Sequence, residues 1–230
     1  MFVYLDIGFT LIGGPEIGPA AWLTRALGLP PAAKEELKGW LFTTPLTSPE
    51  TLADRLTAAH GLDPLFTRQV VSGFWEQQIH QTYPLPGAGE LLTGLKASGI
   101  PYGFITNIWT PFLAGFARVF PEEPATRPLI ASCALGLAKP DAAIYRAALA
   151  ASGVPAEKTI MIGDTYAMDL APAMALGMKT VWLLHRPEKE KTDLVGVLNQ
   201  ELPRPDLTLA AIDALTPDRL TDLVRHRPQP

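Results

Sequence analysis

The chain has 230 residues, a formal net charge of −4, 18% charged side chains and 47% hydrophobic residues. This length suits one large domain or two small ones, and the sparse, nearly balanced charge offers no basic block that would bind nucleic acid or an anionic membrane surface. A single cysteine, Cys133, excludes an internal disulfide and a multi-cysteine metal site. No apolar run approaches the ~18 residues of a membrane span, and no signal peptide is apparent, so we expect a cytoplasmic protein.

The N-terminal half begins with one strand and continues as helices. The apolar run Phe2–Leu5 predicts a strand buried on both faces, and Asp6 follows it directly. Because ligands of open parallel sheets bind beyond the carboxyl ends of the strands, Asp6 is the first candidate for chemistry. Further along, the hydrophobic spacing predicts four helices and no buried strand, with helix bounds at 16–27, 32–42, 49–60 and 64–81.

Beyond residue 84 the pattern changes to alternating strands and helices. Strands are expected at 102–105, 129–133, 159–162, 180–184 and 207–209, and helices at 88–97, after Thr110, at 140–151, at 169–176 and after Thr216. Such alternation is typical of a parallel sheet built from βαβ units. We therefore predict an α/β fold with a Rossmann-like parallel-sheet core formed by 1–13 and 85–230. An all-helical cap domain, 14–84, is inserted after the first strand.

Polar side chains cluster at the predicted strand ends. Each has an ordinary structural interpretation, such as a helix cap or an exposed lysine, but together they form a chemically coherent set: Asp6, Thr106, Lys139, Asp164 and Asp169. Carboxylate oxygens are the ligands that Mg²⁺ prefers, and a lysine beside a hydroxyl can hold an anionic group. A carboxylate can also act as a nucleophile that forms a covalent intermediate.

Four segments carry a resemblance to a known family. V-Y-L-D-I-G-F-T-L, F-I-T-N, G-L-A-K-P-D and I-M-I-G-D-T-Y-A-M-D resemble, in order, the motifs of the haloacid dehalogenase (HAD) superfamily. The resemblance covers the whole chain, and the helical insert is similar in position to the family's C1-type cap, which closes over the site. It implies an Mg²⁺-dependent hydrolase of the phosphatase type that acts on a small phosphorylated molecule, as a monomer or homodimer.

The resemblance also implies roles for single residues around the substrate. Asp6 matches the nucleophile, which becomes an aspartyl phosphate, and Thr106 matches the hydroxyl that binds the transferring phosphoryl group. Lys139 matches the lysine that neutralises the nucleophile and the phosphoryl oxygens. Asn107, directly after Thr106, is a further candidate to orient the substrate or its loop.

The remaining roles concern the metal. Asp6 and Asp164 match Mg²⁺ ligands, and the family's other protein ligand is the backbone carbonyl two residues after the nucleophile, which Gly8 can supply. Asp169 matches the acid that supports the lysine and the water shell of the metal. Thr10 is a candidate for a hydrogen bond near the nucleophile loop. Positioning and charge neutralisation are what phosphoryl transfer requires.

Gly8 departs from the family pattern. Family phosphatases usually carry a second Asp there, which protonates the leaving oxygen and then activates the water that cleaves the aspartyl phosphate. General acid–base catalysis contributes roughly 10²–10⁴-fold. Hydrolysis of alkyl phosphates should therefore be slow unless another residue substitutes, whereas aryl and acyl phosphates, which have better leaving groups, should suffer less.

Gly8 leaves several alternatives open. A cap residue could replace the missing acid, with His60, His80, Lys34 and Lys38 as candidates. The scaffold could instead perform phosphonate hydrolysis through a Schiff base on one of these lysines, or dehalogenation, which ranks lower because family dehalogenases use no Mg²⁺. It could also be a catalytically weak or inactive binding or regulatory protein, although a protein needing only the fold has no physical reason to keep mutually repelling carboxylates together.

Overall fold

A computed structural model describes residues 1–225 of the chain. The strands are β1 (Phe2–Leu5), β2 (Ile12–Gly13), β3 (Tyr83–Pro84), β4 (Tyr102–Thr106), β5 (Leu129–Ala131), β6 (Thr159–Gly163), β7 (Lys179–Leu183) and β8 (Leu207–Leu209). The α-helices are α1 (Pro19–Ala26), α2 (Ala33–Thr43), α3 (Pro49–His60), α4 (Pro64–His80), α5 (Ala88–Ala97), α6 (Thr110–Val119), α7 (Glu123–Thr126), α8 (Ser132–Leu135), α9 (Ala142–Ser152), α10 (Ala171–Ala175), α11 (Lys191–Leu198) and α12 (Pro217–Arg225).

Six strands form one parallel sheet in the order β5-β4-β1-β6-β7-β8. β1 lies inside this sheet, where Leu5 pairs with Phe104 of β4 and with Ile162 of β6. The strand order reverses between β1 and β6, and this switch point is where open α/β sheets bind ligands. The α/β class and the Rossmann-like parallel sheet predicted from the sequence are confirmed, and Asp6 leaves the sheet at its switch point.

Helices cover both faces of the sheet, which explains the unbroken apolar sequence of β1. Val3 and Leu5 are buried with residues of α5, α6 and α12 on one face. Phe2 and Tyr4 are buried on the other face with residues of α9 and α10. The phenol of Tyr4 donates a hydrogen bond of 2.5 Å to the carbonyl of Ala148 in α9. A strand covered on both faces needs apolar side chains at successive positions and not at alternate ones.

The four helices α1–α4 form the predicted helical insert and have a separate apolar cluster. Their starts follow the expected capping chemistry, since Ser48 accepts from the amide of Thr51 and Asp63 accepts from that of Phe66. Only the start of α1 differs clearly from the prediction. It begins at Pro19 because proline favours the first helical position and disfavours helical geometry in the residue before it. Residues 14–18 are therefore a linker.

A two-stranded antiparallel ribbon, which the sequence pattern did not predict, joins the two ends of the insert. Ile12 of β2 pairs with Pro84 of β3, and Gly13 pairs with Tyr83. A Cβ atom on Gly13 would lie 2.4 Å from the Tyr83 ring, so the exposed Tyr83 side chain could lie over β2 in this way only because residue 13 is glycine; with another residue the ring would have to shift. The domain division at 14–84 stays a prediction, and the ribbon lies at both of its limits.

Two elements differ clearly from their predicted bounds, and one helix was not predicted. In place of the helix expected at 169–176, the chain forms a π-helical turn, Tyr166–Leu170, which is followed directly by α10. The strand expected at 129–133 ends at Ala131, because Ser132 starts α8 and its hydroxyl accepts a hydrogen bond of 3.0 Å from the amide of Ile108. Helix α11 was not predicted, since it has no side-chain cap and contains Gly196. Among residues 1–225, no helix combines the length and the apolar character that a membrane crossing requires.

Candidate active site at the carboxyl edge of the sheet

The predicted site residues come from several elements that end at the same edge. Asp6 follows β1, Asn107 follows β4, and Asp164 follows β6. Lys139 precedes α9, and Asp169 lies in the π-helical turn. All five border one cavity of about 270 Å³. The cap side of this cavity is formed by the linker before α1 and by side chains of α2 and α4. The structure thus brings these residues together between the sheet and the helical insert.

Lys139 is the centre of the polar network. Its ammonium nitrogen lies 2.7 Å from an Asp6 carboxylate oxygen, 2.5 Å from one of Asp169 and 3.2 Å from the carbonyl of Ile105. An ammonium group has three donors, and all three are used here. The side chain is only 3% exposed, so its positive charge stays buried because two carboxylates accompany it. Burial by itself would lower the pKa of Lys139, but Asp169 and Asp6 raise it above its usual value, so the lysine is charged.

Three buried carboxylates lie close together. One oxygen each of Asp6, Asp164 and Asp169 lies within 4.8 Å of the other two. Burial, followed by the charges of Asp169 and Asp6, raises the pKa of Asp164, and Arg186 opposes this increase. Burial also raises the pKa of Asp169, and Lys139 opposes it. The group therefore favours any further positive charge, and its oxygen donors fit Mg²⁺, which prefers such ligands.

Asn107 positions Lys139 through the backbone of that residue. The Asn107 side-chain oxygen accepts a hydrogen bond of 2.8 Å from the amide of Lys139, and its nitrogen donates one of 2.8 Å to the Lys139 carbonyl. Both ends of the Asn107 amide are thus committed to the chain at Lys139. The side chain also lines the cavity, so orientation of the loop is established geometrically, and contact with substrate stays a prediction.

The two threonines predicted for the site are less accessible. Thr106 and Thr10 are buried, and the hydroxyl oxygen of each has no hydrogen-bond partner among the described residues. Neither belongs to the cavity lining. A buried hydroxyl without a partner costs about 1–3 kcal/mol, so each is a donor that a bound group could satisfy if it reached that depth.

The turn after Asp6 determines which side chain lies next to Gly8. The amide of Phe9 donates a hydrogen bond of 2.7 Å to the carbonyl of Ile12, and Phe9 adopts a left-handed φ of 55°. This tight turn leaves the Cβ position of Gly8 3.5 Å from the ring of Phe112, an ordinary contact distance. Among residues 1–225, it is therefore an aromatic ring and not an acid or base that lies next to the position where family phosphatases have their second Asp.

None of the four cap candidates for replacing that Asp lines the cavity. His60, His80, Lys34 and Lys38 are all absent from the cavity lining. His60 lies 3.9 Å from Glu36, and the other three are exposed on the outside of the helices. The apolar spacing of a helix identifies the face that packs inward but does not show which of its polar side chains border a site on a neighbouring part of the chain.

Glu16 is the ionisable cap-side residue that the sequence analysis did not select. It lines the cavity from the linker before α1 and makes no hydrogen bond or ion pair with the described residues. The sequence pattern had assigned it to the first turn of a helix. A carboxylate between Gly14-Pro15 and Gly18-Pro19, in a segment where helix formation is disfavoured, was the signal that could have marked it as a loop residue.

Two further polar residues at the cavity were missed. Arg186, in the loop after β7, forms an ion pair with Asp164, and its guanidinium carbon lies 4.0 Å from the centre of the Phe9 ring. Gln78 of α4 is buried, and its oxygen accepts a hydrogen bond of 3.3 Å from the indole of Trp109. Its amide nitrogen has no partner among residues 1–225. Position just after a strand of the sheet was the available signal for Arg186, whereas nothing in the sequence singled out Gln78.

Trp109 joins the two parts of the molecule. It follows β4 of the sheet, but its ring belongs to the apolar cluster of the helical insert. The ring centres of Phe74 and Trp75 lie 5.5 Å and 5.6 Å from that of Trp109. Because Trp109, Gln78 and Phe112 all line the cavity, the contact between insert and core forms part of the site wall.

Comparison with known proteins agrees with this geometry. A family model described as haloacid dehalogenase-like hydrolase matches residues 31–177, more than half of the chain. A phosphoglycolate phosphatase of Pseudomonas fluorescens is 26% identical over 227 residues, which cover 94% of this chain and 83% of that protein. The chain belongs to the haloacid dehalogenase-like hydrolase family and is a hydrolase.

Solved structures share the fold at low identity. The 2-haloacid dehalogenase from Pseudomonas syringae pv. Tomato DC3000 has a TM-score of 0.58 at 20% identity and covers 97% of both chains. The HAD-hydrolase YfnB from Bacillus subtilis, bound to magnesium, has a TM-score of 0.54 at 16% identity and covers 98% of both chains. At these identities the likeness establishes the fold alone.

Proposed function

We propose that the protein is an Mg²⁺-dependent phosphatase that transfers a phosphoryl group from a small molecule to Asp6 and then to water. The observation that carries this proposal is the position of Asp6, which pairs with Lys139 and borders a cavity of about 270 Å³. Asp6 is also one of three buried carboxylates that lie close together there. That volume suits a small molecule and excludes a folded partner. The resemblance of the chain to a phosphoglycolate phosphatase supports a phosphorylated substrate.

The chemistry assigned to this chain consists of two displacements. The free oxygen of Asp6 attacks phosphorus, the bond from phosphorus to the substrate oxygen breaks, and that oxygen takes a proton. A water molecule then attacks the phosphorus of the aspartyl phosphate, the bond to Asp6 breaks, and the water gives up its proton. Lys139 neutralises charge on Asp6 and on the phosphoryl oxygens throughout, because its ammonium group already contacts the nucleophile at 2.7 Å.

The other residues support this exchange. Asn107 fixes the backbone of Lys139, and Asp169 orients the ammonium group at the end of its side chain. Asp6, Asp164 and the Gly8 carbonyl would hold Mg²⁺, which would supply positive charge to the transferring phosphoryl group. Thr106 is assigned to the phosphoryl oxygens by its position at the end of β4 and by its unpartnered hydroxyl.

Glu16 is our candidate for the acid and base that Gly8 cannot provide. It borders the same cavity as Asp6 from the cap side, and no contact with the described residues holds it elsewhere. The four remaining acidic or basic groups of the sheet edge, Asp164, Asp169, Lys139 and Arg186, are paired with one another or with Asp6. Glu16 would give its proton to the leaving oxygen and later take one from water.

The test of the main proposal is hydrolysis of an aryl phosphate with and without Mg²⁺. An aryl leaving group needs little protonation, so the wild type should turn over slowly with Mg²⁺ and far more slowly with a chelator. Asp6→Asn keeps the shape of the side chain and should abolish turnover. Turnover that survives in Asp6→Asn would refute Asp6 as the nucleophile.

The role of Glu16 is tested separately with Glu16→Gln. If it acts as the acid, kcat falls strongly for an alkyl phosphate and little for an aryl phosphate. A uniform change in KM for both substrates would instead show that Glu16 only binds substrate. Glu157→Gln is a matched control, because this exposed glutamate lies away from the cavity.

One alternative from the sequence now has less support, and two others are distinguished by experiment. Phosphonate hydrolysis through a Schiff base would need a free lysine at the site, but Lys34 and Lys38 lie outside the cavity lining and Lys139 is held by two carboxylates. A binding or regulatory protein without turnover is distinguished by the same assay, since it would bind Mg²⁺ and show no hydrolysis in any variant. Dehalogenation is distinguished by halide release from a 2-haloacid without added metal.

A further inference from the structure

Arg186 contacts the carboxylate that the proposed metal site needs. One terminal nitrogen of its guanidinium group forms an ion pair with Asp164, whose side chain is only 5% exposed. The flat guanidinium group lies over the ring of Phe9, with 4.0 Å between its central carbon and the ring centre. This stacking fixes the plane of the group and directs it toward Asp164.

Two cations at the sheet edge already neutralise most of the charge of its three carboxylates. Lys139 pairs with Asp6 and Asp169, and Arg186 pairs with Asp164, so each of the three carboxylates has a cation beside it. A divalent ion placed between Asp6 and Asp164 would add two positive charges next to the guanidinium group. Because buried like charges repel strongly, the guanidinium group and the metal ion would weaken each other's interaction with Asp164.

The chain allows Arg186 to leave. It lies in the loop between β7 and α11, so no strand or helix hydrogen bond fixes its backbone in a regular element. Its side chain is 21% exposed, which gives the guanidinium group a route to solvent. Its Nε atom is buried and has no partner among the described residues, so the pair with Asp164 uses only part of the donors of the arginine.

We propose that Arg186 is an internal counter-ion that competes with Mg²⁺ for Asp164, so that metal binding requires Arg186 to release this carboxylate. The inference rests on the metal site of the proposed function. It predicts that the wild type binds Mg²⁺ more weakly than the same site would without the arginine. It also makes Arg186 a positioning residue that holds the metal ligand in place while the metal is absent.

The experiment is a calorimetric titration of the full chain with MgCl₂, together with the shift in thermal midpoint at saturating Mg²⁺. Arg186→Gln removes the competing charge and should bind Mg²⁺ about tenfold more tightly, since a charge-assisted pair is worth roughly that factor. Arg186→Lys keeps a charge but loses the planar group and should lie between the two. It serves as the second variant if Arg186→Gln folds poorly without metal.

Lys189→Gln is the matched control. Lys189 comes from the same loop and lies over the same Phe9 ring, at 5.6 Å, but does not pair with Asp164. Its substitution changes the net charge equally and should leave Mg²⁺ affinity within about twofold, because exposed charges are screened. Equal gains in Lys189→Gln and Arg186→Gln would overturn direct competition, and so would Mg²⁺ binding in Arg186→Gln that is no tighter than in the wild type.

Asp164→Asn separates this inference from the proposed function. Loss of Mg²⁺ binding in Asp164→Asn, with unchanged affinity in Arg186→Gln, would refute only the competition. Wild-type affinity in Asp164→Asn would refute the metal site itself. Tighter binding in Arg186→Gln together with its loss in Asp164→Asn would support both.

Discussion

Restoring the acid that the family usually carries is the most informative single change. Gly8→Asp places a Cβ atom 3.5 Å from Phe112, which is an ordinary contact, and the backbone at Gly8 does not have the left-handed geometry that only glycine tolerates. Packing alone should therefore change the free energy of unfolding by less than about 1 kcal/mol, and Gly8→Asn measures this part because it adds no charge beside the three carboxylates. Because Glu16 supplies part of this function in our proposal, kcat/KM for an alkyl phosphate should rise, by at most the roughly 10²–10⁴-fold that a complete acid–base catalyst contributes.

The assay compares an alkyl and an aryl phosphate in the wild type, Gly8→Asp and Gly8→Asn. Asn has the same shape as Asp but cannot exchange a proton at neutral pH, so it controls for packing against Phe112. The gain should be large for the alkyl substrate, below about tenfold for the aryl substrate, and missing in Gly8→Asn. Equal gains for both substrates, or a gain in Gly8→Asn, would refute this explanation of Gly8. In the Gly8→Asp background, Glu16→Gln should cost little, because the new carboxylate takes over its task.

Three predictions concern stability. Lys139→Met leaves two buried carboxylates without their shared cation and should lower the free energy of unfolding by about 3–5 kcal/mol in urea titrations; a loss below about 1 kcal/mol would contradict the ion-pair geometry. Gly163→Ala places a Cβ atom 2.4 Å from the Asp169 carboxyl carbon and should lower the free energy of unfolding by about 1–3 kcal/mol. Gly73 lies in α4 with open space around its Cβ position, so Gly73→Ala should raise the free energy of unfolding by up to about 1 kcal/mol. Equal effects of the two substitutions would contradict the close packing at Gly163. Burial raises the pKa of Tyr4 from 10.0 to about 12, so the phenol loses its proton at lower pH in the unfolded chain than in the folded protein. The free energy of unfolding should therefore fall, by up to about 3 kcal/mol, as pH rises from 10 through 12. Tyr4→Phe should lack that component of the alkaline loss, and identical pH profiles would refute the shift.

The framework of the site could be predicted because it depends on short local patterns. The apolar run of β1 ends at Asp6, and parallel strands place their carboxyl ends along one edge, so the sequence alone was enough to expect that Asp6, Asp164 and Lys139 meet. The caps at Ser48 and Asp63 are local signals as well, and each acts within one turn. Such features need no knowledge of tertiary packing.

The wall of the cavity could not be predicted, because it depends on how the helical insert sits on the sheet. Gln78 and Phe112 are separated along the chain yet line one cavity, and only tertiary packing brings them there. The same limit applies to the acid–base candidates, since the apolar periodicity of a helix indicates its packed face but not which polar side chains border the cavity. Arg186 lies at a strand end like the predicted residues, but an arginine in a loop is usually a solvated charge, so its pair with Asp164 carried no sequence signal.

The claim that Asp6 is the nucleophile is tested most directly by trapping the covalent intermediate. The enzyme is mixed with an aryl phosphate and Mg²⁺, quenched in acid within the first turnover, digested and analysed by mass spectrometry. We predict one phosphoryl group on the peptide that contains Asp6, at a higher level in the wild type than in Gly8→Asp, because Gly8 leaves the second displacement without its usual base. A phosphoryl group on another residue, or release of phosphate with no phosphorylated Asp6 at any quench time, would contradict the account.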